Sequence, residues 1–210
     1  MTVTIALFAF PLFIYVGWRL SAAISGRFKV SKKIVLGIVL AVILYLYIYP
    51  VTIKVTHLTG NIDRLFVFEP SLHWQDYFLM YPFWIGLIAV AEIISFFALL
   101  DIISLISRLK IFAVSFRQKW RKVQEYLKIA IAVFFLLYAG IRSYIDTNQV
   151  RVSDFEVKIE KLPAELHHLK LCFSGDIHVD RYTQDKKLSK LKTMIRSGEA
   201  DLLLFSGDLI

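Results

Sequence analysis

The chain has 210 residues, of which 57% are hydrophobic, with a mean hydropathy of +0.60. Soluble domains average roughly 45–50% apolar residues, so an ordinary soluble globular protein is excluded and an integral membrane protein is expected. The net charge of +8 does not indicate nucleic-acid binding, because residues 1–141 hold 14 Lys/Arg against 6 Asp/Glu while residues 142–210 hold 11 of each. The excess therefore lies among the apolar segments, where it sets membrane orientation.

Crossing the hydrocarbon takes about 20 mostly apolar residues. Four stretches qualify: 3–18, 34–53, 77–100 and 126–144. The fourth requires Lys128 and Arg142 to snorkel to the two interfaces. Pro82 and Gly86 are tolerated inside a membrane helix. Glu92 lies within the third span with Ser95 one turn on. Charge at that depth is costly and often functional, and a polar contact between helices is favoured over a substrate path. Asp101 falls near the span end and attracts no role.

The loops alternate in charge. Loop one (19–33) has five basic residues and no acid; loop two (54–76) has Lys54 and Arg64 against Asp63, Glu69 and Asp76; loop three (107–128) has seven basic residues and only Glu125. Positive loops stay in the cytoplasm, so the N-terminus, loop two and everything after Tyr144 are expected outside. A cleaved signal peptide needs a basic start, which Met1-Thr2-Val3-Thr4 lacks. Within loop three, 109–122 interleaves Ile111, Phe112, Phe116 and Trp120 with basic residues. It can form a helix lying on the inner leaflet, although a positive-inside loop without a ligand accounts for the charge. His57 and His73, in loop two, receive no role.

Two domains are expected, 1–145 and 146–210. Asp146-Thr147-Asn148 reads as a polar linker. Val150, Val152, Phe155, Val157 and Ile159 mark a strand with a bulge near Ser153-Asp154, ended by Leu162-Pro163. Residues 169–173 and 202–205 read as short buried strands. Between them, 184–197 carries Leu188, Leu191, Met194 and Ile195 at helical spacing, with Thr183 as N-cap and Gly198 as stop. Strand, helix, strand in about 40 residues is a βαβ unit with parallel strands. The lone Cys172 lies in an apolar run and is expected to be buried and inert.

Each strand is followed by a glycine–aspartate string: Gly175-Asp176-Ile177-His178 and Gly207-Asp208-Leu209-Ile210. Ligands bind beyond the carboxyl ends of parallel strands, which is where Asp176, His178 and Asp208 fall. Adjacent strands lie about 4.8 Å apart, so carboxylates at neighbouring ends can share a cation. Carboxylate plus imidazole suits Mn, Fe, Zn or Ni better than Ca. Gly-Asp is also a common turn dipeptide; the spacing of 32 residues with one amphipathic helix between favours a metal site. His167 and His168 are expected to be solvated, and Asp180 and Asp201 to be surface turns.

At these residues the chain resembles the calcineurin-like metallophosphoesterases, particularly their membrane-anchored bacterial branch. The order Phe155-Glu156-Val157-Lys158-Ile159-Glu160-Lys161-Leu162-Pro163, then 169–178, then Gly207-Asp208 carries the likeness, over roughly 150–210 and the first two of about five family motifs. Asp180 stands where many members have glycine. The resemblance implies a four-layered α/β sandwich and hydrolysis of a phosphomonoester or phosphodiester by a metal-bridging hydroxide. It implies two divalent ions, with Asp176 and His178 on the first and Asp208 bridging both. Further ligands and the general acid are expected beyond Ile210, so the chain is expected to be the N-terminal part of a longer enzyme, with no catalytic residue of its own and no activity alone. The expected protein is thus a multi-pass cytoplasmic-membrane phosphoesterase with an extracytoplasmic catalytic domain and a phosphate-ester substrate, for which an outward membrane site suggests a lipid-linked phosphate. The rival is a non-enzymatic membrane anchor or transporter-like module with a vestigial metal half-site.

Overall fold

The computed structural model describes residues 2–60, 74–109, 113–175, 177 and 186–207. The described chain is mostly helical, and it divides into two units, 1–67 with 73–143, and 68–72 with 144–210.

The first unit is built from α1 (Thr2–Phe28), α2 (Lys32–Leu58), α3 (Tyr81–Ser107, entered through a π-helical turn at Asp76–Met80) and α4 (Val114–Asn148), whose last turn falls in the second unit. All four are long and apolar enough to cross a membrane. A 27-residue helix is about 40 Å long at 1.5 Å per residue, against a hydrocarbon core of about 30 Å. Each helix therefore outruns the apolar stretch within it, which is why every expected span is shorter than its helix. Length and composition together mark a multi-pass membrane protein.

Small residues let the helices approach. Ala9, Phe13 and Val16 of α1, Ile43 of α2, Ala89, Val90, Ile93 and Phe97 of α3, and Ala132 and Ala139 of α4 form one buried cluster. The Tyr47 ring stands edge-on to Phe10, Phe13 and Phe83 and joins three helices. Its hydroxyl donates to the Ala6 carbonyl at 2.8 Å. Phe96 and Phe135 bring α3 and α4 together at 5.1 Å between ring centroids. Outside this seam large apolar side chains such as Leu44, Leu99 and Leu137 are exposed. Water would penalise that surface by about 25 cal/mol per Å²; lipid does not.

The two basic loops meet at one end of this unit. Arg27 of α1 donates to the Tyr126 hydroxyl of α4 and stands over its ring, and Gln124 Nε2 donates to the Leu100 carbonyl of α3 at 2.8 Å. At the other end the Tyr45 hydroxyl of α2 donates to the Phe78 carbonyl.

Several expectations change. The stretch from Val114 is the first part of α4, continuous with the fourth span instead of forming a separate surface helix. Helix α4 also runs through Asp146-Thr147-Asn148, expected as a linker; Asn148 Nδ2 donates back to the Tyr144 carbonyl at 2.8 Å. Lys128 does not snorkel. It is buried and pairs with Asp101 at 2.7 Å, because a carboxylate on the neighbouring helix lies nearer than the interface. Glu92 makes no interhelical contact: it is exposed on the outer face of α3 and has no hydrogen bond or ion pair among the described residues. Pro82 follows the π-helical turn in a helix continuous from Asp76, and the Phe78 carbonyl that its missing N–H leaves open accepts from the Tyr45 hydroxyl.

In the second unit, β1 (Leu171–Gly175), α5 (Lys186–Ser197) and β2 (Leu202–Ser206) form the βαβ unit. The strands pair in parallel, Leu171 opposite Leu202 through Gly175 opposite Ser206. Helix α5 ends through Gly198, whose N–H reaches the Met194 carbonyl, but Glu199 and not the glycine takes the left-handed conformation (φ 46°). Residues 150–159 form no strand. Alternation supplies one apolar face, but a ladder needs a partner, and none pairs there among the described residues; Phe155 is 86% exposed. The two strands are not buried either. Leu171, Phe173, Leu202 and Phe205 are exposed, and Cys172 is half-buried, since one helix cannot cover both faces of a sheet.

Candidate metal centre at the ends of two parallel strands

Because β1 and β2 run in parallel and in register, both glycine–aspartate strings leave the sheet at its carboxyl end. The backbones converge there. A Cβ on Gly175 would stand 2.7 Å from Ser206 Oγ and 2.8 Å from the Ser206 carbonyl oxygen, closer than real side chains tolerate. Gly207 then turns the chain with φ 86°, a conformation that costs an L-residue roughly 1–2 kcal/mol. These two glycines give Asp176 and Asp208 neighbouring points of departure. Asp176, His178 and Asp208 themselves lie outside the described residues, as do Asp180, Thr183 and His73.

The amino end of the sheet is tied separately. The Asp201 carboxylate accepts the Lys170 N–H at 2.9 Å, and the Asp201 N–H donates to the Lys170 carbonyl at 2.9 Å. Asp201 therefore clamps the entry of both strands. It stands about 17 Å from the carboxyl ends, five residues on at ~3.3 Å each, too far to support a metal there. That clamp was not foreseen, although an aspartate just before a strand is a common backbone-capping residue. His167 and His168 are both exposed; a ring nitrogen of His167 lies 3.1 Å from the Leu162 carbonyl. His57 sits exposed in the last turn of α2. Among the described residues no three His, Cys, Asp or Glu side chains cluster to hold a metal.

The strongest polar constellation among the described residues is one to which the sequence assigned no role. Asp101 accepts from Tyr15 at 2.6 Å, Arg19 at 2.5 Å and Lys128 at 2.7 Å, joining α1, α3 and α4. An acid at the end of a span, beside two strongly basic loops, was the available signal.

Comparison with known proteins yields a local likeness. A segment of 68 residues, 32% of this chain, is 31% identical to UDP-2,3-diacylglucosamine pyrophosphatase LpxG of Chlamydia trachomatis serovar D and covers 21% of that protein. The Chlamydia muridarum enzyme of the same name is 28% identical over 68 residues, again 21% of its length. The match thus spans about a fifth of these relatives. No family model matches the chain, and no solved structure matches it.

Proposed function

We propose that the chain belongs to a membrane-anchored, metal-dependent phosphoesterase of the calcineurin-like kind, acting on a phosphate or pyrophosphate ester of a lipid-linked substrate. The observation that carries this reading is the parallel register of Gly175 with Ser206, which starts both glycine–aspartate strings from one sheet end. The likeness to enzymes named for cleaving the pyrophosphate of a diacylated UDP-sugar adds a substrate class. Four apolar helices supply the anchor.

The residues fit a metal centre. Two carboxylates and an imidazole are the donor set that borderline cations prefer, and Gly175 keeps the strand ends free of a side chain that would push them apart. On this reading Asp176 and His178 hold a first cation and Asp208 is shared with a second. When bound, two such ions would lower the pKa of an attacking water and neutralise phosphate charge. The chain's own part is to fix these side chains on a parallel pair whose far end Asp201 holds in register. The positive-inside loops support a sheet on the outer side of the cytoplasmic membrane, where the anchor would keep a diacylated substrate within reach.

Membranes carrying the native gene product, supplied with Mn²⁺, should hydrolyse UDP-2,3-diacylglucosamine, and Asp176→Asn should abolish the activity. Undiminished turnover in Asp176→Asn would sink the metal assignment. Turnover confined to soluble nucleotides would remove the lipid-linked substrate but leave the metal site standing.

A further inference from the structure

A cavity of about 630 Å³ opens where α1, α3 and α4 meet at the basic end of the first unit. Its walls carry Arg19, Arg108, Arg117, Arg121 and Lys128 against one carboxylate among the described residues, Asp101. Asp101 is already committed to Arg19 and Lys128. Arg108 and Arg121 have no acidic partner among the described residues, and Arg117 and Arg121 stand one turn apart on α4, where like charges repel.

The positive-inside rule accounts for arginines at this end, but not for their gathering around one concave site. Trp120 Nε1 and Arg19 Nε are buried without a hydrogen-bond partner. Trp120 and Arg19 both line the cavity. Buried polar groups normally find a partner, and a guanidinium's planar fork matches phosphate oxygens. Gln124 and Lys128 are themselves buried and held to α3, so this wall is fixed. Ile102, Leu105 and Val114 add an apolar side.

We propose that this cavity binds a phosphate group, distinct from the strand-end site. The chemistry is shared by two sources: the head group of an anionic phospholipid entering from the bilayer, and free inorganic phosphate. A basic pocket between membrane helices is a known kind of lipid head-group site, and the apolar wall favours the lipid.

The test is native mass spectrometry of the 210-residue chain in neutral detergent, with added phosphatidylglycerol, phosphatidylethanolamine or inorganic phosphate. Phosphatidylglycerol should be retained at one copy per chain when phosphatidylethanolamine has left. Arg108→Gln with Arg121→Gln should lower retention by about tenfold or more. Lys119→Gln with Lys122→Gln, on the same helix but outside the cavity, should leave it within about twofold. Displacement of the lipid by millimolar phosphate would assign the site to free phosphate, and resistance to it would assign it to the lipid. Equal loss in both double variants, or no difference between the Arg108/Arg121 variant and wild type, would overturn the proposal.

Discussion

Lys128 of α4 and Asp101 of α3 meet at 2.7 Å, with the lysine side chain only 8% exposed. Asp101→Asn would leave that ammonium buried without a counter-charge, a loss of roughly 3 kcal/mol or more. The variant should unfold at a lower temperature in detergent. Adding Lys128→Met removes the stranded charge and should recover a large part of the loss. If the double variant is no more stable than the single one, the pair is not the joint between these helices.

Gly175→Ala should loosen the carboxyl end of the sheet. The new methyl would press on both the hydroxyl and the carbonyl of Ser206, and forced overpacking costs about 1–3 kcal/mol. Since one contact is backbone, Ser206→Ala should not rescue it. Amide hydrogen exchange across β1 and β2 would report the loosening. Mn²⁺ affinity, read by paramagnetic resonance, should fall with it.

Asp201→Ala removes the carboxylate that holds the Lys170 N–H. Bonds of this charge-assisted kind contribute about 1.5–3 kcal/mol, less at an exposed position such as this. Exchange at Lys170 should speed up while Mn²⁺ affinity stays unchanged. A drop in affinity as large as that of Asp176→Asn would place Asp201 in the metal site, against its position at the opposite sheet end.

Glu92→Gln should leave both folding and hydrolysis intact. The carboxylate faces outward from α3 with no partner among the described residues, so its removal breaks no bond within the unit and relieves a charge at membrane depth. Loss of hydrolysis in Glu92→Gln, with Asp176→Asn still active, would move the chemistry from the strand ends to the third span and overturn the metal-site reading.

The helices were legible because twenty apolar residues in a row have few other uses; their ends were not. The apolar criterion stops at Tyr126, whereas backbone bonding carries α4 back to Val114 through a basic stretch that helix geometry accepts. The βαβ unit followed from two apolar runs around a 3.6-period segment. The 150–159 stretch misled because alternation describes a face and says nothing of a neighbour to pair with. Asp101 was passed over for a related reason: its partners Tyr15, Arg19 and Lys128 lie 86, 82 and 27 positions away, and only packing brings them together. The strand-end glycines were legible as a pair. That Gly175 is constrained by Ser206 and Gly207 by its own φ could be learned only from the fold.

The parallel pair has one further consequence, for handling the protein. Among the described residues each of its strands has a neighbour on one side only, so each offers an outer row of N–H and C=O groups, flanked by Phe173 and Phe205, to any passing chain. Such an edge recruits strands. Preparations should self-associate as concentration rises, with cross-β order at about 4.8 Å, and a lysine at Phe173 should suppress this where added salt does not.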